Sequence, residues 1–258
     1  MSGLIAVLGG QEHLPGCEPI DRRLLAESGL LNPTVTVLLA ATVPNRIGAK
    51  VLEATNYWPG LGAHVRISCP GGVHDTEHTL EALRDTDLVV LAGGRPWLMR
   101  AHLTSPIVER LRQLSDEGVP LSGSSAGAMA LCAWRLHLQP GRTPRVERGH
   151  GFVPGFAAPH YGRHATQHAC RVIAHLHPHM DILGLQDRTA LIGRDGHYQI
   201  MGTGSCTIMR GGTSRRYPSG AHVRLLGTPP PAPAVDLGLS VEVGVRDNTS
   251  RLASATTP

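Results

Sequence analysis

Val119-Pro-Leu-Ser-Gly-Ser-Ser-Ala-Gly-Ala-Met-Ala-Leu131 is the stretch whose reading decides the fold of this chain. An apolar lead-in runs into Gly123-Ser124-Ser125-Ala126-Gly127, and small and apolar residues follow at helical spacing. Strand, sharp turn and helix in that order describe a nucleophile elbow with Ser125 at its apex. The glycines two before and two after Ser125 have a mechanical reason, because the turn crowds the backbone and a Cβ at either would collide with the strand or the helix. The helix that begins at Ala126 aims its free N–H groups and positive dipole end at the serine, which suits an oxyanion. The pattern therefore predicts a serine hydrolase. A bare Gly-x-Ser-x-Gly also arises where small residues simply let a helix pack close to a strand. The rest of the chain must supply a base, an orienting acid and a second oxyanion donor.

Upstream of the elbow, apolar runs at Leu4–Leu8, Thr34–Ala41, His64–Cys69 and Leu88–Leu91 read as strands. Stretches with helical spacing lie between them: Ile20–Ser28, Asn45–Tyr57, Asp75–Arg84 and Ser105–Glu117. Continuous apolar strands joined by such helices imply a mostly parallel sheet with helices on both faces, an α/β fold of flavodoxin-like type. Ligands in such sheets sit at the carboxyl ends of the strands. Gly9-Gly10, Gly93-Gly94 and Ser125 are thereby expected as neighbours.

The second half is less regular. Trp134–Gly155 is rich in Arg, Pro and Gly and reads as loop, Phe156–His160 as a short strand and His164–His177 as a helix. Ala190–Arg194, His197–Met201 and Cys206–Arg210 read as a C-terminal β-ribbon. One domain is expected over residues 1–227. A Pro-rich linker and tail follow over 228–258, with Thr228–Pro233 as the stiff segment and Val235–Val245 as one added strand.

Composition narrows the function classes. The chain has 258 residues, 41% of them hydrophobic, without an apolar run long enough for a membrane span. Its N-terminus lacks a basic leader and reads as a buried strand, so a cytoplasmic location is expected. The five cysteines are scattered without C-x-x-C spacing, which suggests neither a disulfide framework nor a zinc site. The net charge of +4 comes from dispersed arginines, Lys50 being the single lysine, and aromatic residues make up 3%. Nucleic-acid binding is not expected.

A serine nucleophile needs a base that titrates near neutrality, and histidine fits. Of the 15 histidines, His160 in Ala158-Pro159-His160-Tyr161 follows a short apolar run and so lies at a strand end. His164 and His168 share a helix face, but no H-E-x-x-H motif accompanies them and no metal is expected.

Gly123-Ser-Ser-Ala-Gly-Ala128, Ala92-Gly-Gly94, Pro159-His160-Tyr161 and Gly184-Leu-Gln-Asp-Arg-Thr-Ala-Leu191 occur in this order over about residues 3 to 212. In this the chain resembles the dipeptidase E and cyanophycinase family of serine peptidases, which have a class I glutamine amidotransferase-like fold. The resemblance implies Ser125 as nucleophile, His160 as general base, and the N–H groups of Gly94 and Ala126 as the oxyanion hole, with Gly93 giving close approach. Amidotransferases of the same fold carry a cysteine at the elbow, so serine here argues against ammonia transfer. For the acid, similar sequences carry Asp or Glu at the position of Asp187. Dipeptidase E and cyanophycinase instead place an acid between the serine and the histidine, where this chain offers only Glu147. Asp187 is preferred and Glu147 stays open. Family members act on acidic peptides, which makes Arg95 and Arg163 candidates to pair with a substrate carboxylate, the alternative being surface arginines of an arginine-rich chain. Glu12 is a candidate partner for a substrate amino group and reads equally well as a surface charge of its loop. The resemblance implies a small peptide or amide substrate, no cofactor, and no partner beyond a possible homodimer. A catalytically silent binding protein, or an esterase or acyltransferase using the same serine, fits these residues as well.

Overall fold

The computed structural model describes residues 2–71, 75–137 and 143–225. The expected linker Thr228–Pro233, the strand at Val235–Val245, the polar tail and the boundary at residue 227 lie outside the described residues.

The first half alternates as the apolar runs require. In order come β1 (Ile5–Leu8), α1 (Glu18–Leu25), β2 (Thr34–Leu38), α2 (Ile47–Tyr57), β3 (His64–Ser68), α3 (Asp75–Ala82), β4 (Leu88–Leu91), α4 (Pro96–His102), α5 (Ser105–Asp116), β5 (Leu121–Ser124) and α6 (Ala126–Leu131). Strands β1, β5, β4, β2 and β3 lie side by side in that order and all pair parallel. The elbow strand β5 is central, with β1 on one side and β4 on the other, so the glycine pairs after β1 and β4 flank Ser125.

Strand alternation sorts side chains to the two faces. Ala6, Leu8, Val35, Val37 and Val90 join Ile20 and Leu24 of α1 and the fully buried Trp58 in one core. Ile5, Val7, Leu38, Val89 and Leu91 join Ile107, Leu111 and Leu114 of α5 and Ala128 and Leu131 of α6 in the other. Each fully buried large side chain of this kind contributes about 1.5–3 kcal/mol.

The second half departs from the expected loop and ribbon. Trp134–Gly155 contains parts of β6 (Cys132–His137) and β8 (Val153–Ala158) and the whole of β7 (Arg145–Arg148). After α7 (His164–Leu176) come β9 (Ile182–Leu185), β10 (Thr189–Arg194), β11 (His197–Gly202), β12 (Ser205–Arg210), β13 (Thr213–Pro218) and β14 (His222–Arg224). Six of these form a second sheet in the order β13-β12-β9-β8-β6-β7. The expected ribbon divides: β10 and β11 extend the main sheet antiparallel from β1, with β14 at its edge, whereas β12 pairs with β9 in the second sheet.

One face of the second sheet supplies Val153, Ala157, Leu183 and Cys206 to the core shared with α5 and α6. Its other face, with Trp134, Phe156 and Ile182, is covered by Cys170, Ile173 and Ala174 of α7. This mixed α/β arrangement brings the ends of β8 and β9 over the carboxyl end of β1 and β5. The His160 N–H donates to the Gly9 carbonyl at 2.9 Å, and the Arg188 N–H donates to the Gly10 carbonyl at 2.9 Å.

Candidate active site

Ser125 occupies the turn between β5 and α6 with φ 50° and ψ −106°, a conformation that is strained for any residue with a Cβ. It is held on both sides: its N–H donates to the Leu8 carbonyl at 3.0 Å, and its own carbonyl accepts the Met129 N–H at 3.0 Å. The flanking glycines do what the crowding argument requires. A Cβ on Gly123 would lie 2.6 Å from the Gly127 backbone, and one on Gly127 would lie 2.2 Å from the Leu91 carbonyl oxygen.

Seven non-glycine residues have positive φ among the described residues, and five of them are Gln11, His13, Ser125, His160 and Arg188. All five lie on the loops that meet around the serine. Such strain costs on the order of 1–3 kcal/mol per residue and is retained where the surroundings over-determine it.

The side chains converge. Ser125 Oγ lies 2.9 Å from His160 Nε2, and His160 Nδ1 lies 2.6 Å from Asp187 Oδ1. A carboxylate can only accept, so Nδ1 carries the ring proton and Nε2 is left to accept the Ser125 Oγ–H. Asp187 lies where the chain passes from β9 in the second sheet to β10 in the main one. His160 lies just past the end of β8.

Glu147, the other candidate acid, is elsewhere. On β7 it accepts from Arg135 Nε at 2.9 Å and from His137 Nδ1 at 3.0 Å, with Arg100 Nε at 3.5 Å. This is an ordinary partly buried ion-pair cluster.

Gly93 and Gly94 stand beside the serine as their place after β4 demands. A Cβ on Gly93 would lie 3.2 Å from Ser125 Cβ, and one on Gly94 would lie 2.2 Å from the Ala41 carbonyl oxygen. Among the described residues neither the Gly94 N–H nor the Ala126 N–H has a protein acceptor, whereas the Gly93 N–H is taken by Glu12. Arg95 is partly buried and its guanidinium stacks 5.3 Å from the Trp97 ring centroid. Arg163 is exposed at the start of α7.

Gly10 is where the order of strands and glycine pairs puts it, and two further contributors, Gln11 and Ser124, are not expected from the sequence. Gly10, at φ +137°, leaves room for the histidine, since a Cβ there would lie 2.3 Å from His160 Cε1 and 2.8 Å from Asp187 Oδ1. Gln11 Nε2 donates to Asp187 Oδ2 at 3.2 Å. Ser124 Oγ donates to Glu12 Oε2 at 2.7 Å. The Gly-Gly-Gln-Glu run after β1 is the signal that points to Gln11, and Ser124 carries none beyond its place beside the elbow serine.

Burial opposes ionisation of Glu12. The Lys50 ammonium, the Ser124 hydroxyl and backbone N–H groups including that of Gly93 outweigh it and hold the carboxyl down at about 2. The carboxylate is thus engaged within the protein, contrary to its expected place as a partner for a substrate amino group. Among the described residues no group of three His, Cys, Asp or Glu side chains could hold a metal ion, and His164 and His168 are exposed on α7. No helix among the described residues is long and apolar enough to cross a membrane.

Known proteins resemble this chain in fold and in sequence. The fold is similar to that of a peptidase from an acI-B1 Actinobacterium, at 20% identity and TM-score 0.75, covering 87% of this chain and 98% of that one. It is also similar to a candidate peptidase E protein from Listeria monocytogenes EGD-e, at 15% identity and TM-score 0.55, covering 84% and 99%. None of the curated proteins matches the chain. The model of peptidase family S51 matches residues 52–201, more than half of the 258. The chain therefore belongs to peptidase family S51, the dipeptidase E and cyanophycinase family of serine peptidases.

Proposed function

We propose that Ser125, His160 and Asp187 form the catalytic triad of this peptidase and that it cleaves small or acidic peptides through an acyl-enzyme. The observation that carries the proposal is the continuous chain from Ser125 Oγ through both nitrogens of His160 to Asp187, at 2.9 and 2.6 Å. In this reading His160 Nε2 takes the Oγ proton as Oγ attacks the peptide carbonyl, and Asp187 keeps the ring oriented and stabilises the imidazolium that forms. The Gly94 and Ala126 N–H groups receive the oxyanion. His160 then returns the proton to the leaving amine, the C–N bond breaks, and a water activated by the same nitrogen hydrolyses the ester on Ser125.

Arg95 beside the oxyanion loop and Arg163 three residues after His160 supply positive charge for a substrate carboxylate. This choice of acidic peptides rests on their chemistry and their place in the chain. A cytoplasmic location belongs to the same proposal and is supported by all five cysteines being unpaired. Turnover of N-terminal aspartyl dipeptides, other dipeptides and simple esters by wild type and Ser125→Ala tests the proposal. Aspartyl peptide cleavage lost in the variant supports it. Cleavage of esters alone marks an esterase, and an inert wild type marks a silent binding protein.

A further inference from the structure

Glu12 is 8% exposed, and its carboxylate bridges the loop after β4 and the end of β5. Oε1 accepts the Gly93 N–H at 2.9 Å, and Oε2 accepts the Ser124 Oγ–H at 2.7 Å. Lys50 Nζ reaches Oε1 from α2 at 3.3 Å and is itself tied to Glu53 at 2.7 Å. Gly93 immediately precedes Gly94, and Ser124 lies two residues before Ala126. Glu12 therefore holds the loop after β4 that carries the proposed donor Gly94 and the end of β5 that leads through Ser125 into the proposed donor Ala126.

The bond at Gly93 has a specific consequence for its neighbour. The Gly93 N–H is held by Glu12, and the Arg95 N–H is held by the Ala41 carbonyl at 2.7 Å. Gly94 lies between these two anchors at φ +155°. With both flanking amides fixed, the direction of the Gly94 N–H is fixed too. Two consecutive glycines have no Cβ to restrain them, so releasing the Gly93 end frees both peptide planes to rotate. A carboxylate suits the bridge because it offers two acceptor oxygens from one planar group. A buried carboxylate is retained only when paired and hydrogen-bonded, which Lys50, Ser124 and Gly93 provide.

We propose that Glu12 is a positioning residue that clamps the loop carrying the Gly94 N–H to the β5–α6 elbow carrying the Ala126 N–H, with Lys50 as its counter-charge. The clamp rests on the reading of Ser125 as nucleophile. Glu12 hydrogen-bonds to Gly93, Ser124 and Lys50 and not to Ser125 Oγ or His160, so its effect on rate runs through the placement of two backbone donors.

The test is the labelling of purified full-length protein by a fluorophosphonate, whose phosphoryl oxygen occupies the oxyanion position. The limiting rate and the half-saturating concentration are read separately for Glu12→Ala, Glu12→Asp and Glu12→Gln, with melting curves alongside. Gln keeps an acceptor for the Gly93 N–H and can donate to Ser124 Oγ, since a hydroxyl also accepts. Asp keeps the charge but is one methylene too short to reach both Gly93 and Ser124. The limiting rate of the Ala and Asp variants should fall by roughly 10²-fold with half-saturation changed by less than about threefold, and Gln should stay within about tenfold of wild type. A Glu12 that only stabilised the fold would lower the melting temperature without this split.

Wild-type limiting rates in all folded variants overturn the proposal, as does the reverse order in which Asp labels and Gln does not. If the Ala variant fails to fold, the Asp and Gln pair decides. If neither of these folds, Glu12 is a folding residue and the clamp is wrong. A wild type that takes no label at Ser125 overturns the triad and the clamp together, a result distinct from all of these.

Discussion

His160 Nδ1 lies 2.6 Å from Asp187 Oδ1, while Glu147, the one acid between the serine and the histidine in sequence, lies 3.0 Å from His137 Nδ1. The two carboxylates should therefore separate by function. Asp187→Asn should lower kcat by roughly 10³–10⁴-fold, because the amide no longer fixes the tautomer in which Nε2 accepts. Glu147→Ala should leave kcat within about threefold of wild type while costing roughly 1–3 kcal/mol of stability through the unpaired Arg135 and His137. Steady-state kinetics with denaturant melts check both. Activity lost in the Glu147 variant and kept in the Asp187 variant would reverse the assignment.

Gly10→Ala places a Cβ where His160 Cε1 and Asp187 Oδ1 now lie, at 2.3 and 2.8 Å. The imidazole must move, and a displacement of this size costs on the order of 10²-fold in rate. The prediction is a folded protein with kcat reduced by about that factor, read by kinetics and circular dichroism together. Unchanged kcat would show that the loop after β1 does not constrain the histidine.

Arg163→Ala should raise KM for an aspartyl dipeptide by about tenfold and leave kcat unchanged, because a charge that binds substrate and transition state alike acts on KM alone. A neutral dipeptide should show no such effect. Equal KM changes for both substrates would remove Arg163 from acid recognition, and the same comparison applies to Arg95.

Burial raises the Asp21 carboxyl to about 7, a Tyr57 hydroxyl donating at 2.6 Å opposing the shift. Its usual value is about 3.9, so between the two the folded chain holds a proton that the unfolded chain has released, and stability falls as pH rises. Asp21→Asn should therefore gain on wild type by up to about 1.4 kcal/mol per pH unit between about pH 5 and pH 7. Burial lowers His13 to about 4, which gives the opposite slope in the same window, so the difference between variant and wild type is the quantity to measure. A pH-independent difference would contradict the assignment.

The legible parts of this chain were local. The elbow glycines, the five parallel strands and the histidine at the end of β8 follow from crowding, period and order, each readable within a dozen residues. Trp134–Gly155 was not legible, because β6 and β7 are short, arginine-bearing and partly exposed, and become strands only through pairing with each other and with β8. Glu12 was misread for a related reason. A lone acid in a loop has the signature of a surface charge, and its burial depends on Lys50, Gly93 and Ser124, which are distant in sequence.

The most direct measurement is mass spectrometry of the protein after reaction with a fluorophosphonate, with the adduct mapped by peptide. One adduct, on Ser125, is expected in the wild type and none in a Ser125→Ala variant whose circular dichroism is unchanged. Undiminished labelling of that variant, or an adduct mapped to another residue, would contradict Ser125 as the nucleophile.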